Sequence, residues 1–152
     1  MKKQKLILDQ VDRRIKELLP LDSIVMPQAG WIYSIRLALG MSLRQLGKRL
    51  NITAQSVKEL EQREKSGTVS LNVLRQVGAS LDLKLIYCFI PKTGSLEKMI
   101  EKRAVEIATE IVQRTSSSMI LEDQENTEAR LKQSILEKTS EITREMPKFL
   151  WY

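Results

Sequence analysis

The stretch "MSLRQLGKRLNITAQSVKELEQRE", residues 41–64, limits the fold more tightly than any other part of the chain. Leu43, Leu46 and Leu50 fall at helical spacing, Val57 and Leu60 do so again, and only "NIT" lies between the two sets. Apolar residues three and four apart share one face of a helix, so two amphipathic helices meet here. Ser42 with Gln45 three positions on is the pattern of a capping box and starts the first helix. Asn51, which tolerates the left-handed conformation, ends it, and Thr53 caps the second. So short a connection imposes a sharp crossing, and Gly47 is the small residue that lets the helices approach. Ile52 is expected to plug the corner.

The remainder reads as mainly α-helical. Residues 3 to 19 form an amphipathic helix stopped by Pro20, and "LPLDSIVMPQAG" is a connector. Residues 31 to 39 form a helix closed by Gly40, with Trp31, Ile35 and Leu39 expected on the core face and Ile32 beside them. Ser70 caps a further helix carrying Leu71, Leu74, Val77 and Leu81 inward. "DLKLIYCFIP" is short, apolar and aromatic and reads as a β-strand. No second strand is legible to pair with it, and an unmatched strand edge is costly. The economical solution is pairing across a twofold axis with the same strand of a second copy, through Leu83, Leu85, Ile86, Tyr87 and Phe89. Two long helical patterns follow. One is capped by Ser95 with Leu96, Ile100, Ala104, Ile107, Ala108 and Ile111 inward, and the other runs from about Thr127 with Leu131, Ile135, Ile142 and Met146 inward. "TSSS" and "LEDQEN" separate them, and Pro147 precedes the tail "KFLWY". The expected division is 1–30, a helix and connector; 31–91, a compact helical domain with its strand; and 92–152, a helical hairpin and aromatic tail.

Composition removes several function classes. The 152 residues include no His and one Cys, so Cys/His zinc sites and Ser-His-Asp or Cys-His catalysis cannot be built from one chain. Neither common Gly-rich phosphate loop occurs. No catalytic residue, metal or cofactor is therefore expected, nor is an enzyme. Cys88 is expected to be a buried, inert thiol. No apolar run is long enough for a membrane span, and acidic and basic residues interrupt any signal-peptide core, which makes a cytoplasmic protein the expectation. Charge is uneven: residues 1–92 hold sixteen Lys/Arg against eight Asp/Glu, whereas residues 93–152 hold nine against eleven. The basic part suits a polyanion. The opening "MKKQK" is read as solvated, the alternative being an arm on phosphates.

In the opening stretch the outward residues of the second helix are Thr53, Ala54, Gln55, Ser56, Lys58, Glu59 and Gln62. In a helix-turn-helix such a helix lies in the DNA major groove with its first turns at the base edges. Gln55 can pair with adenine, Ser56 can donate or accept, and Lys58 suits guanine or phosphate. Glu59 has to meet a cytosine amine or turn away. Arg44, Gln45, Lys48 and Arg49 on the preceding helix suit the phosphate backbone.

"IRLALGMSLRQLGKRLNITAQSVKELEQRE" followed by "SLNVLRQVGASLDL" resembles the Cro/phage-repressor, or XRE, class of five-helix domains. The departures are Gly47 where alanine is usual, Asn51 where glycine is usual, and "EQREKSGT" in place of a shorter loop. More narrowly, "GWI", "QSVKELEQRE", "LIYCFIPK" and the closing "REMPKFLWY" resemble the family called mobile mystery protein A. The resemblance implies a DNA-binding repressor that dimerises through its strand on a palindromic operator. It also implies an antitoxin-like member of a two-gene module whose partner carries a Fic domain. Fic inhibitors often carry Ser or Thr, three residues, then Glu-Gly or Glu-Asn; the only Glu-Asn is Glu125-Asn126, and position 121 is Leu. The alternative is an antitoxin that holds its toxin through the C-terminal hairpin, with Phe149, Leu150, Trp151 and Tyr152 as anchors.

Overall fold

The computed structural model describes residues 2–116 and 127–152, and the described chain is mainly helical. Its α-helices are α1 (Lys2–Leu18), α2 (Trp31–Ala38), α3 (Leu43–Leu50), α4 (Ala54–Ser66), α5 (Leu71–Ser80), α6 (Leu96–Ser116) and α7 (Thr127–Glu145). The Glu125-Asn126 pair and the "LEDQEN" segment lie outside the described residues. No described helix is long and apolar enough to cross a membrane. The chain divides into two compact units, Ser23–Cys88 and the first 22 residues with Phe89–Tyr152.

Ser23–Cys88 is built on α2–α5 around Ile32, Leu46, Val57, Leu60 and Val77, with Leu43, Leu50, Leu74 and Leu81 packed at the margin. The termini follow the sequence signals. Ser42 and Gln45 form the reciprocal capping box, Asn51 takes φ +56°, Thr53 Oγ1 accepts from Ser56 N–H, and Ser70 Oγ accepts from Val73 N–H. Gly47 is where α3 meets the α3–α4 corner: a Cβ there would lie 2.6 Å from the Ile52 carbonyl oxygen. The corner is thus closed by backbone on backbone, and Ile52, expected to plug it, is 36% exposed.

Helix α2 is rotated from its expected register. Trp31 is half exposed and Leu39 more so, while Ile32 and Arg36 face inward. The physical reason is a buried ion pair. Arg36 Nε and Nη2 donate to the Glu61 carboxylate on α4, the latter at 3.2 Å, and Nη1 donates to the Met41 carbonyl at 3.0 Å. Both side chains are buried, and a paired, hydrogen-bonded charge is the form in which Arg tolerates burial. Leu71, expected inward, is exposed, because α5 turns Val73 and Val77 to the core instead.

The other unit is a helical hairpin, α6 against α7, with α1 and the tail laid on it. Its core is Ile100, Ala104, Ile107, Ala108, Ile142 and Leu150, with Leu8, Ile111, Ile135 and Met146 packed around. Alanines at 104 and 108 let the neighbouring elements approach α6 closely. Asp12 of α1 fastens α1 to the start of α6: its carboxylate accepts from Leu96 N–H at 2.8 Å and Glu97 N–H at 3.0 Å. Ser95 Oγ adds an acceptor for Lys98 N–H, so three of the otherwise orphaned donors of α6 are satisfied.

The strand expected in "DLKLIYCFIP" is absent: residues 83–91 belong to no helix or strand, and no strand occurs among the described residues. A ladder needs a second strand, and a single chain offers none. Cys88, expected to be buried, is exposed as a consequence.

Candidate nucleic-acid interface

Helix α4 has two chemically distinct faces, and the sequence fixes both through the 100° step per residue. Val57, Leu60, Glu61 and Glu64 share the inner side, with Val57, Leu60 and Glu61 buried. Gln55, Lys58, Glu59 and Gln62 share the outer side and are exposed. Ala54 and Ser56 are half buried at the rim. Thr53, at the amino-terminal end, is exposed, and its hydroxyl both accepts from Ser56 N–H at 3.0 Å and donates to Ser56 Oγ at 2.9 Å. Ser56 therefore keeps only part of its hydrogen-bonding capacity for a ligand.

The inner acids set the tilt of α4 against α2. Glu61 takes Arg36, whose guanidinium is raised above its ordinary pKa chiefly by that hydrogen bond, with burial opposing and the charges of Glu61 and Tyr33 assisting. Arg36 is a fixed cation, and its positive charge is neutralised locally. One turn further on, Glu64 Oε1 accepts from Ile32 N–H at 2.9 Å, at the start of α2. That site needs a glycine. Gly30 has φ +89°, and a Cβ on it would lie 2.5 Å from Glu64 Oε1. "GWI" and "EQRE" are thus two halves of one contact, in which Glu61 and Glu64 hold α2 near its two ends.

The electrostatic result is a sorting of charge. Ser23–Cys88 contains nine Lys/Arg and four Asp/Glu. Two of those acids, Glu61 and Glu64, are turned inward, leaving Glu59 as the one acid on the outer face of α4. Arg44 and Lys48 of α3 are exposed. Gln45 is exposed too; its Oε1 accepts from Ser42 N–H at 2.7 Å, so its NH2 group keeps its donors for a ligand. Arg49 differs from the expectation: Nη1 donates to the Ser80 carbonyl at 3.2 Å and ties α3 to the end of α5. A shallow depression lined by Leu39, Met41, Gln45, Lys48 and Arg49 lies beside these groups.

Four contributors escape a reading of the sequence pattern. Glu61 and Glu64 act from the inner side, where helical periodicity leads one to expect apolar residues. Lys65 is helical, because α4 extends to Ser66 before Gly67 ends it at φ +82°. With Arg63 it adds two exposed cations to the carboxyl end of α4. A strong helix former at each of positions 61 to 65 was the available signal.

The residues singled out for self-association are exposed or half buried. Ile86 is 66% and Phe89 88% exposed, Leu83 and Tyr87 are also exposed, and Leu85 is half buried. Tyr87 lies under the Arg75 guanidinium of α5, 5.7 Å from ring centre to charge. Of the tail residues, Leu150 is not available as an anchor for another protein: it is 1% exposed and belongs to the α6–α7 core. Arg103 holds the tail there, donating from Nε to the Leu150 carbonyl at 2.8 Å and from Nη2 to the Tyr152 carbonyl. Phe149, Trp151 and Tyr152 remain exposed. Among the described residues, no group of three or more metal-ligating side chains occurs. Searches of protein-family models, of curated proteins and of solved structures each find no match to this chain.

Proposed function

We propose that this protein is a dimeric, sequence-specific double-stranded DNA-binding regulator of transcription, with α3 and α4 forming a helix-turn-helix of the XRE/Cro type. The observation that carries the reading is the two-faced construction of α4: acids are drawn inward to Arg36 and the start of α2, and Gln55, Lys58 and Gln62 are left outward. Glutamine amides and a lysine on one exposed helix face are the groups that read base edges in a major groove. Arg44, Gln45 and Lys48, with the amino-terminal end of α4 at Thr53, serve the phosphates. Residues 83–90 pair with the same segment of a second copy, which gives the twofold symmetry that a palindromic operator requires. Together with the likeness to mobile mystery protein A, this makes the protein the autorepressor and antitoxin-like half of a two-gene module with a Fic-domain partner.

The test is fluorescence anisotropy with duplex DNA from immediately upstream of the gene and with a scrambled duplex, across a salt series. Tight binding to the first alone, weakening steeply with salt, is the expected outcome. Gln55→Ala weakens cognate binding by about 1–3 kcal/mol and leaves the scrambled duplex unaffected. Equal loss on both duplexes removes Gln55 as a base reader.

A second reading, direct neutralisation of the partner, is favoured by one specific observation. Arg103 and Leu150 fix the tail so firmly that Phe149, Trp151 and Tyr152 are presented outward. Aromatic groups held in this way are common anchors at protein interfaces. Pull-down of the co-encoded Fic protein by the parent, and not by a Phe149→Ala/Trp151→Ala variant, is the expected result.

A further inference from the structure

We propose that the solvent face of α1 is a second, sequence-independent contact for duplex DNA, engaging phosphates rather than bases. It rests on the DNA-binding reading for its partner but on different residues. Lys2, Lys3, Lys5, Arg13, Arg14 and Lys16 are all exposed, and none makes an ion pair among the described residues. The contrast with the rest of the same unit is direct. On α6 and α7 four of the eight basic side chains are paired with a carboxylate on the same helix, in Arg103–Glu106, Arg114–Glu110, Lys138–Glu141 and Arg144–Glu145, against none of six on α1.

Helix α1 does not neutralise itself in this way. Asp12, one of its three acids, is engaged at the start of α6, which leaves Asp9 and Glu17 against six cations. The three amino-terminal cations are also placed against the helix's own dipole, whereas Lys16 in the last turn complements it. The first turn holds Lys2, Lys3 and Lys5 and no acid, an arrangement that disfavours the helix by itself. Six exposed cations that pair with no carboxylate among the described residues, three of them opposing their own helix, suit an external polyanion. Lys3 and Arg13/Arg14 are separated by roughly 16 Å along the axis at 1.5 Å per residue, so the two ends reach different phosphates. An anionic lipid surface fits less well. The apolar stripe that would enter a membrane, with Leu8 and Ile15, is buried in the unit's core, and only Leu6 and Ile7 interrupt the outer face.

The test compares the full chain, a Lys3→Gln/Arg13→Gln/Arg14→Gln variant and a Gln55→Ala/Lys58→Ala variant on upstream and scrambled duplexes over a salt series. Glutamine keeps helix propensity, and circular dichroism checks that α1 persists. The α1 variant is expected to bind both duplexes more weakly by the same factor. Its slope of log K against log salt falls by about two to three, near 0.9 for each phosphate released. A slope equal to the parent's overturns the proposal and leaves the reading of α4 intact. Suppose instead the parent does not distinguish the duplexes, while the α1 variant still lowers the slope on both. Then α1 is upheld and the α4 reading falls. No salt-dependent binding by the parent overturns both. Loss of binding to phosphatidylserine vesicles in the α1 variant, with an unchanged DNA slope, overturns it in favour of a membrane.

Discussion

Two short stretches of this chain are alike in composition and opposite in fate. Residues 83–90, "LKLIYCFI", and residues 148–152, "KFLWY", are both apolar, aromatic and carry one lysine. The second folds into a 3₁₀ turn whose Leu150 is sealed in the core of its unit, with two of its carbonyls held by Arg103. In the first, none of residues 84–90 donates or accepts a described backbone hydrogen bond, and Ile86 and Phe89 stand in solvent. Hydrophobicity alone therefore does not decide what is buried. The tail supplies its own backbone pairing with a turn and one arginine, whereas an extended segment obtains it only from another strand. That is why the same kind of sequence closes a core in one place and leaves an apolar edge in the other.

The largest effect is expected where the tail is sealed. Leu150→Ala removes a fully buried side chain and should cost about 2–5 kcal/mol, read from the denaturant midpoint. A loss under about 1 kcal/mol would mean that the tail is as loosely held as residues 83–90, and the contrast would vanish. Next comes Ile86→Glu. Burying one such side chain in a dimer is worth about 1.5–3 kcal/mol per copy, and a carboxylate there opposes association. Sedimentation should give a monomer, or insoluble protein, at concentrations where the parent is a dimer. An unaltered dimer would show that 83–90 is not the pairing edge.

Most of the architecture was legible because most of it is local. Caps at Ser42, Thr53 and Ser70, the left-handed Asn51 and the close approach at Gly47 are each written in a few adjacent residues, and all are present. The core positions Leu46, Val57, Leu60, Val77, Ile100 and Ala104 follow from period alone. The failures share a cause. Helical periodicity assigns Arg and Glu outward, so it places Trp31 and Leu39 on the core face with Ile32 at its side, whereas Arg36 joins Ile32 in the core. The reason is a carboxylate 25 positions away, at Glu61. The outer face of α4 was legible, but Glu64 at the start of α2 was not. A capping contact 32 positions long has no local signature. In sequence Leu150 likewise looks like its neighbours, an anchor for another protein, because only the packing of α6 and α7 distinguishes it from Phe149 and Trp151.

A smaller effect tests how the tail is fastened. Arg103→Ala removes the donors to the Leu150 and Tyr152 carbonyls and to Glu106, and should cost about 1–3 kcal/mol. Arg103→Lys should recover only part of this, since one ammonium cannot reproduce the planar fork. Equal stability of the parent and the alanine variant would show that Leu150 packing holds the tail without the arginine.

The smallest and most discriminating change concerns Cys88, which lies between Tyr87 and Phe89 and is exposed in the single chain. If residues 83–90 gain their missing backbone partners from a second copy, the thiol gains neighbours at the same moment. Its alkylation by iodoacetamide should then slow as protein concentration rises through the dimer range. The Ile86→Glu variant should react at the fast rate at every concentration. Thiol chemistry depends on ionisation and access together, so the rates are compared at one pH and referred to a small free thiol. A rate that falls as dimer population rises assigns the covered surface to the strand pair. A fast rate at all concentrations in the parent would mean that the segment stays uncovered even in the dimer. The twofold contact would then have to be sought among other exposed apolar residues, such as Trp31 and Leu39.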